Sequence, residues 1–313
     1  MAGEVSLRET YGHTVAELGR QNRDIVVLDA DLCPSTMTKY FGAEFPERFF
    51  NVGVAEQDMI GIAAGLAASG KIPFASTFAV FAPGRCFDQI RVAVAQSRLN
   101  VKIVVTHAGV TVGEDGASHQ ALEDLSLICS LPGFTVIVPA DAIETDRAIK
   151  AVAAHDGPCY IRLCRPKLPT VYDDSYRFEI GKAVTLRPGK DVTVIAIGVM
   201  VAAALEAAAA LAGEGIDCRV INMPTLKPID EAAIIRAAAE TGAVVAAEEH
   251  QAHGGLGSIV ARVVAKNRPV PMEFVAVQDV FGQSGKPTEL LEAYGLTSKD
   301  IAKAVRAAVK RKS

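Results

Sequence analysis

Short runs of β-branched residues alternate along the chain with longer stretches in which apolar positions recur every three or four residues. Asp24–Ala30, Val101–Thr106, Phe134–Val138 and Tyr160–Leu163 read as strands, and Leu7–Gln21, Gln57–Ala68, Phe87–Ser97 and Ala142–Ala153 as helices. These strands are apolar throughout rather than alternating, as parallel strands covered by helices on both faces must be. The pattern lapses after Pro166-Lys-Leu-Pro169 into the polar stretch Tyr172-Asp-Asp-Ser-Tyr176. It resumes with strands over Val192–Ile197, Cys218–Asn222, Ala243–Ala247 and Phe274–Val277, separated by helices over 201–213, 229–240 and 255–266. The expected fold class is α/β, with two domains that each hold a mainly parallel sheet flanked by helices. The first is expected over 1–172, a linker over 173–190 and the second over 191–313.

Composition narrows the function classes. The length of 313 residues agrees with two domains at roughly 100–200 residues each. Half the residues are apolar and 22% are charged, which excludes a disordered or fibrous chain. Lys and Arg number 32 against 36 Asp and Glu, so the net charge of −4 offers no basic field to nucleic acid or anionic lipid. The longest apolar stretch, Val192 to Leu205, falls short of the ~20 residues of a membrane span, and charges at Glu4, Arg8 and Glu9 break any leader-like run. The six cysteines form no CxxC pair and no zinc spacing, and read as small core residues in a reducing compartment. A cytoplasmic protein with no nucleic-acid or membrane partner is expected.

In open parallel sheets ligands bind beyond the carboxyl ends of the strands. That rule singles out Asp29-Ala-Asp31, Thr77-Phe78 and His107. Glu56 opens a helix after Asn51-Val-Gly-Val-Ala, where a carboxylate favours the positive end of the helix dipole. Its neighbours Val52, Val54, Ile60 and Ile62 instead suggest a poorly solvated carboxyl needing a ring nitrogen or a cation as partner. Phe78 and Phe81 suit either the core or an aromatic wall for a flat heterocycle. From His107 to His119 two histidines, two acids and three glycines fall within thirteen residues. Such glycines admit a ligand close to the backbone, and His/Asp pairs exchange protons near neutral pH. Proton transfer or hydroxyl recognition fits this spacing better than a metal site. Arg165 reads as a solvated strand-end charge or as a bidentate phosphate clamp. His253-Gly-Gly-Leu-Gly-Ser258 reads as a tight turn or a phosphate loop at a helix start.

Taken in order, Val54-Ala-Glu56-Gln-Asp-Met, Ser76-Thr-Phe78-Ala-Val-Phe81, Gly113-Glu-Asp115-Gly-Ala-Ser-His119-Gln, Cys164-Arg165-Pro166 and Ser284-Gly-Lys-Pro-Thr-Glu-Leu-Leu291 resemble transketolase. The resemblance covers nearly the whole chain but only the C-terminal half of that enzyme, its pyrimidine-binding and C-terminal domains. It implies a thiamine-diphosphate enzyme that moves a two-carbon ketol unit between ketose and aldose phosphates, as in the pentose phosphate pathway. The family's Gly-Asp-Gly…Asn, which holds the diphosphate and a divalent cation (Mg2+ or Ca2+), is missing, so no metal ligands are assigned to this chain. The implied partner is an N-terminal subunit carrying that motif, in an assembly of two copies of each chain, with self-dimerisation of this one.

By the resemblance, Glu56 matches the glutamate that hydrogen-bonds the aminopyrimidine and promotes loss of the thiazolium proton. Phe78 and Phe81 match the aromatic wall around that ring; a third aromatic of some members is replaced by Pro83-Gly84-Arg85. His107 and Asp115 match residues that read donor hydroxyls. His119 matches a position near the cofactor amino group, and His107 and His119 are counted with Glu56 as catalytic. Arg8, Ser35 and Arg165 match ligands of the sugar phosphate. Asp31 matches a conformationally important acid near the subunit interface and is counted with the cofactor-binding residues. Two other readings are a β-type subunit of a 2-oxo-acid dehydrogenase or deoxyxylulose-phosphate synthase, and a non-catalytic half that has kept the fold. The Glu-Asp-Gly-Ala-Ser-His stretch favours transketolase over the first, and the retained Glu56, His107, Asp115 and His119 argue against the second.

Overall fold

A computed structural model of the chain describes residues 2–312. Met1 and Ser313, the outer ends of the two expected domains, lie outside the described residues. A seven-stranded sheet runs in the order Thr225–Lys227, Thr135–Ile137, Cys159–Arg162, Lys102–Thr106, Ile72–Phe78, Ile25–Asp29, Phe49–Asn51. All neighbours in it are parallel except the first pair. A five-stranded sheet runs Met272–Val277, Val244–Gln251, Val192–Ala196, Cys218–Asn222, Val184–Arg187, with only the last strand antiparallel. The fold is α/β with mainly parallel sheets flanked by helices.

The apolar strands explain why helices must cover both faces. Val27, Phe74, Val104 and Ile161 point to one face, where they pack with Leu7, Tyr11 and Val15 of the helix Leu7–Gln21 and with Ile149 and Val152 of the helix Ala142–Ala154. Val26, Leu28, Ala75, Ile103 and Val105 point to the other, against Met59, Ile60 and Ala63 of the helix Glu56–Ala68. Capping residues set the helix starts: Ser6 accepts from the Glu9 amide at 3.3 Å and Asp141 from the Glu144 amide at 2.8 Å.

Four features depart from the sequence pattern. Val184–Arg187, within the stretch expected as linker, is the edge strand of the smaller sheet. Thr225–Lys227, from the second half, crosses over and extends the larger sheet. Both are too short and too mixed in polarity to register as strands. The helix expected over Phe87–Ser97 becomes a short turn, Phe87–Gln89, followed by a π-helical segment, Ile90–Gln96. Its wider turn brings Ile90, Val94 and Ala95 onto the buried face. The strand expected to stop at Ala247 continues to Gln251 and buries Glu248, Glu249 and His250.

Those acids are held by specific bonds. Glu248 accepts from the amides of Leu256 and Gly257 at 2.7 and 2.8 Å, where the helix Leu256–Asn267 begins. The Gly-Gly-Leu-Gly turn is thus filled by the protein's own carboxylate, and a Cβ on Gly255 would lie 2.1 Å from it. Near the joint between the halves, Glu144 accepts from Ala140 N–H at 2.7 Å, Tyr176 O–H at 2.5 Å and the Asn222 amide at 2.9 Å. Tyr172 stacks on Tyr176 with ring centres 3.7 Å apart. The polar lapse of the sequence is therefore an ordered seam, and burial pushes the Glu144 carboxyl up to about 7. Glu248→Ala strands two buried amides and should lower stability by about 1–3 kcal/mol in thermal or urea denaturation at pH 7.

Candidate active site

The larger sheet delivers its chemistry at the carboxyl ends of two central neighbours. Ile72–Phe78 ends on Phe78, which pairs in register with Thr106 at the end of Lys102–Thr106. The next residue, His107, takes φ +58°, and this left-handed turn lays its imidazole on the Phe78 ring, with centroids 3.8 Å apart. Phe81, one turn beyond Phe78, lies 5.9 Å from it at 16°. His119 returns from the glycine-rich segment and stands edge-on to both rings, its centre 5.4 Å from that of Phe81 and 6.4 Å from that of Phe78. Phe78, Phe81, His107 and His119 thus form one aromatic cluster, drawn from three segments.

Glu56 begins its helix only 3% exposed. Its partner is Arg85, whose Nη1 donates to both carboxylate oxygens at 3.2 and 3.3 Å. The same guanidinium sits 4.0 Å over the Phe81 ring centre, while half of Arg85 remains exposed. A planar, cationic nitrogen group therefore lies between the buried carboxylate and the aromatic wall. The surroundings expected of Glu56 are only partly present: Ile60 shares its face and is buried, but Val54 is 71% exposed and Ile62 is 37% exposed. Ile62 stands six residues on, roughly 240° around the helix, and so faces away.

The two histidines do not pair with acids. His107 Nδ1 shares a hydrogen bond with Thr106 Oγ1 at 2.8 Å, and His119 Nδ1 with Ser118 Oγ at 3.0 Å. Burial, with Arg8, Arg165 and His119 adding to it, drives the His107 pKa down to about 3. The sequence pattern suggested proton exchange near neutral pH, but a desolvated imidazole beside two guanidinium groups stays neutral there. It offers hydrogen bonds instead.

Arg8 and Arg165 lie close enough to lower the pKa of His107 together. Arg8 Nη1 donates to the Ser35 carbonyl at 2.6 Å, and its Nε is buried without a partner. Arg165 donates to the Val112 carbonyl and to Glu114 at 3.0 Å. Asp115 is exposed and makes no hydrogen bond among the described residues. Asp31, at φ +63°, is held by Asn51: its amide donates to Asn51 Oδ1 and its carboxylate accepts from Asn51 Nδ2, both at 3.1 Å. Asn51 Oδ1 also accepts from Gly53 N–H at 3.0 Å, so Asp31 braces the loop that leads into Glu56 rather than joining the aromatic cluster. Sequence reasoning missed Arg85 as a partner of Glu56, although a cation was one of the two partners that the carboxyl called for. A cavity of about 880 Å³ lined by Phe87, Arg91, Arg98 and Gly133 lies by the amino ends of the strands, away from these groups.

Comparison with known proteins places the whole chain, domain by domain. The family model for the transketolase pyrimidine binding domain matches residues 3–171, and that for the transketolase C-terminal domain matches residues 181–301. A Methanocaldococcus jannaschii chain named as a transketolase C-terminal section is 48% identical over 97% of this chain and 96% of its own length. The 6-deoxy-6-sulfo-D-fructose transketolase subunit of a Clostridium species (strain MSTE9) is 45% identical over 98% of this chain and 95% of its own. Among solved structures, a split gene transketolase described as an inactive beta4 tetramer superposes with a TM-score of 0.93 at 53% identity, covering 99% of this chain and all of that one.

Two predictions follow from the geometry. Arg85→Ala leaves the Glu56 carboxylate buried without a partner and should cost about 1–3 kcal/mol in denaturation at pH 7, most of it recovered by adding Glu56→Gln. In an NMR pH titration the His107 ring signals should stay at their neutral positions down to about pH 4. A midpoint near the ordinary 6.5 would contradict its desolvation.

Proposed function

We infer the function from the premise that this chain belongs to the transketolase family. We read it as the C-terminal subunit of a thiamine-diphosphate-dependent transketolase divided over two chains, which transfers a two-carbon ketol unit between ketose and aldose phosphates. The observation that carries this reading is the buried Glu56 carboxylate facing the Phe78–Phe81 wall through a planar nitrogen group, since those are the demands of an aminopyrimidine. Thiamine diphosphate, when bound, supplies the carbon nucleophile that carries the ketol unit. Glu56 would hold a proton at the aminopyrimidine ring nitrogen. Phe78 and Phe81 would orient that ring and keep water from the carboxylate. His119, edge-on to the same wall, would accept or donate a hydrogen bond at the ring's amino group.

The remaining groups suit the sugar. His107, neutral at physiological pH, would bond a donor hydroxyl without taking its proton, and the exposed Asp115 would bond another. Arg8 and Arg165, with Ser35 beside Arg8, provide two guanidinium groups for a phosphate. The name of the Clostridium relative points to a sulfonated ketose, and the same guanidinium pair would suit a sulfonate. Asp31 would keep the Asn51–Ala55 loop, and with it Glu56, in place. Among the described residues no three His, Cys, Asp or Glu side chains stand together to hold a metal. Because the Gly-Asp-Gly…Asn motif is missing from this sequence, we assign the Mg2+ or Ca2+ and diphosphate ligands to an N-terminal subunit, in an assembly of two chains of each kind that works on sugars of the pentose phosphate type in the cytoplasm.

Reconstitution with a subunit carrying Gly-Asp-Gly…Asn should yield ketol transfer from a ketose phosphate to an aldose phosphate. Glu56→Gln should lower kcat by roughly 10²–10⁴-fold with the fold intact. Decarboxylation of a 2-oxo acid without ketol transfer, or near-normal turnover by Glu56→Gln, would overturn the reading. Arg165→Ala should raise KM for phosphorylated donors about 10-fold or more and leave kcat largely unchanged, because a phosphate clamp binds ground and transition states alike.

A further inference from the structure

The strand Val244–Gln251 of the smaller sheet carries a carboxylate into the loop that bears His107. Glu249 is 3% exposed, and its Oε1 accepts from the Thr111 amide at 2.6 Å, across 138 residues of chain. The backbone approaches so closely at Gly109, at φ +79°, that a Cβ there would lie 2.1 Å from the carboxyl carbon of Glu249. The main chain of Glu249 is also fastened: Arg162 Nη2 donates to its carbonyl at 3.0 Å, while Arg162 Nε donates to Asp124 at 2.9 Å. Glu249 Oε2 and Thr111 Oγ1 are buried with no hydrogen-bond partner. Between His107 and Gly113 the chain makes one short turn, Val110–Val112, and Glu249 grips its middle residue.

We propose that Glu249 is a positioning residue, by which the C-terminal half fixes the turn between His107 and Asp115 and so sets affinity for the donor sugar. The proposal rests on the transketolase reading above and adds to it a role for the second sheet. A glutamine would make the same bond to Thr111 without burying a charge, so stability does not account for the carboxylate. Its ionisation is opposed by burial, which raises its pKa to about 7 against the pull of Arg162 and the Thr111 amide. The charged groups facing it are Arg162 on the strand Cys159–Arg162 and Asp124 at the start of the helix Asp124–Cys129, with the Cys164 thiol nearby. Glu248, beside it on its own strand, turns instead to Leu256 and Gly257. For a carboxyl raised in the folded state, the stability it contributes is present at low pH and is lost as pH rises toward and through about 7. The charge-assisted bond to Thr111 has the opposite dependence and weakens as pH falls through the same range.

Four readouts test this, three of them on the chain alone. By NMR the Thr111 amide should titrate with a midpoint near 7 in the wild type and remain flat in Glu249→Gln. Glu249→Gln should melt above the wild type at pH 8 and together with it at pH 5. In the assembled enzyme, Glu249→Ala should raise KM for a ketose phosphate about 10-fold, the scale of a lost hydrogen bond to a charged group, with a much smaller change in kcat. Glu249→Gln should restore that KM and flatten its rise toward acid pH. A folded Glu249→Ala enzyme with unchanged donor KM, or a Thr111 amide that does not titrate, would overturn the proposal. If the assembled enzyme shows no ketol transfer, the transketolase reading fails, and the His107 ring signals of Glu249→Ala still decide the positioning role. Displaced from their wild-type positions they support it, and unmoved they refute it.

Discussion

A carboxylate removed from water must find a counter-charge or give up its own charge, and at Glu56 this constraint shapes the carboxyl edge of the larger sheet. Only 3% of Glu56 is exposed, and the guanidinium that answers it also stacks on Phe81. The pairing requires the start of the helix Glu56–Ala68 to stand beside the end of Ile72–Phe78. The parallel strand order supplies that neighbourhood, since only Ile25–Asp29 separates Phe49–Asn51 from Ile72–Phe78, and Val52 N–H donates to the Asp29 carbonyl at 3.0 Å as the chain leads on to Glu56. Asp31 and Asn51 brace this loop from the outside. The aromatic cluster then follows from register, because Phe78 and Thr106 are paired neighbours and His107 is the next residue in the chain.

The two halves of the chain are bound by buried polar contacts as well as by apolar packing. Arg162 and Asp124 form a pair that is 5% and 1% exposed, tied by a second bond to the Glu249 carbonyl. Such a pair contributes little net stability relative to apolar residues of the same size, but breaking it is costly. It therefore fixes one arrangement of the segments around it. The Glu144–Tyr176–Asn222 seam does the same where Asn222 of the smaller sheet meets Glu144. The glycine-rich loop from His107 to His119 is held by Glu249 and Ser284 of the second half, so its geometry depends on both halves being present.

Most of the fold was legible in the sequence because parallel strands advertise themselves as unbroken apolar runs. The pattern bounds the helix Leu7–Gln21 to the residue, and the structure adds Ser6 as its cap. Legibility failed where polarity and burial part company. The strand Val244–Gln251 continues through three buried ionisable residues, of which Glu248 is satisfied by the next helix start and Glu249 by a residue 138 positions away, so the apolar pattern ends at Ala247 while the strand does not. Val184–Arg187 and Thr225–Lys227 are short edge strands whose pairing depends on the rest of the sheet. At the site, Phe78, His107 and Glu56 could be named because they sit at strand and helix ends, where the fold class places ligands, and Phe81 and His119 through the short segments they share with Phe78 and His107. Arg85 could not, because nothing in Pro83-Gly84-Arg85 announces that its guanidinium turns back over Phe81. Glu249 was hidden for the same reason, its bond to Thr111 spanning 138 residues.

The central claim is that this chain holds the ring-binding half of a cofactor site and leaves the charged half to a partner. Calorimetric titration of thiamine diphosphate with and without Mg2+, into the chain alone and then into the chain with a subunit carrying the diphosphate motif, tests it directly. The account predicts weak binding to the chain alone that is indifferent to Mg2+, and tight, Mg2+-dependent binding once the partner is present. Tight, Mg2+-dependent binding by the chain alone would contradict it.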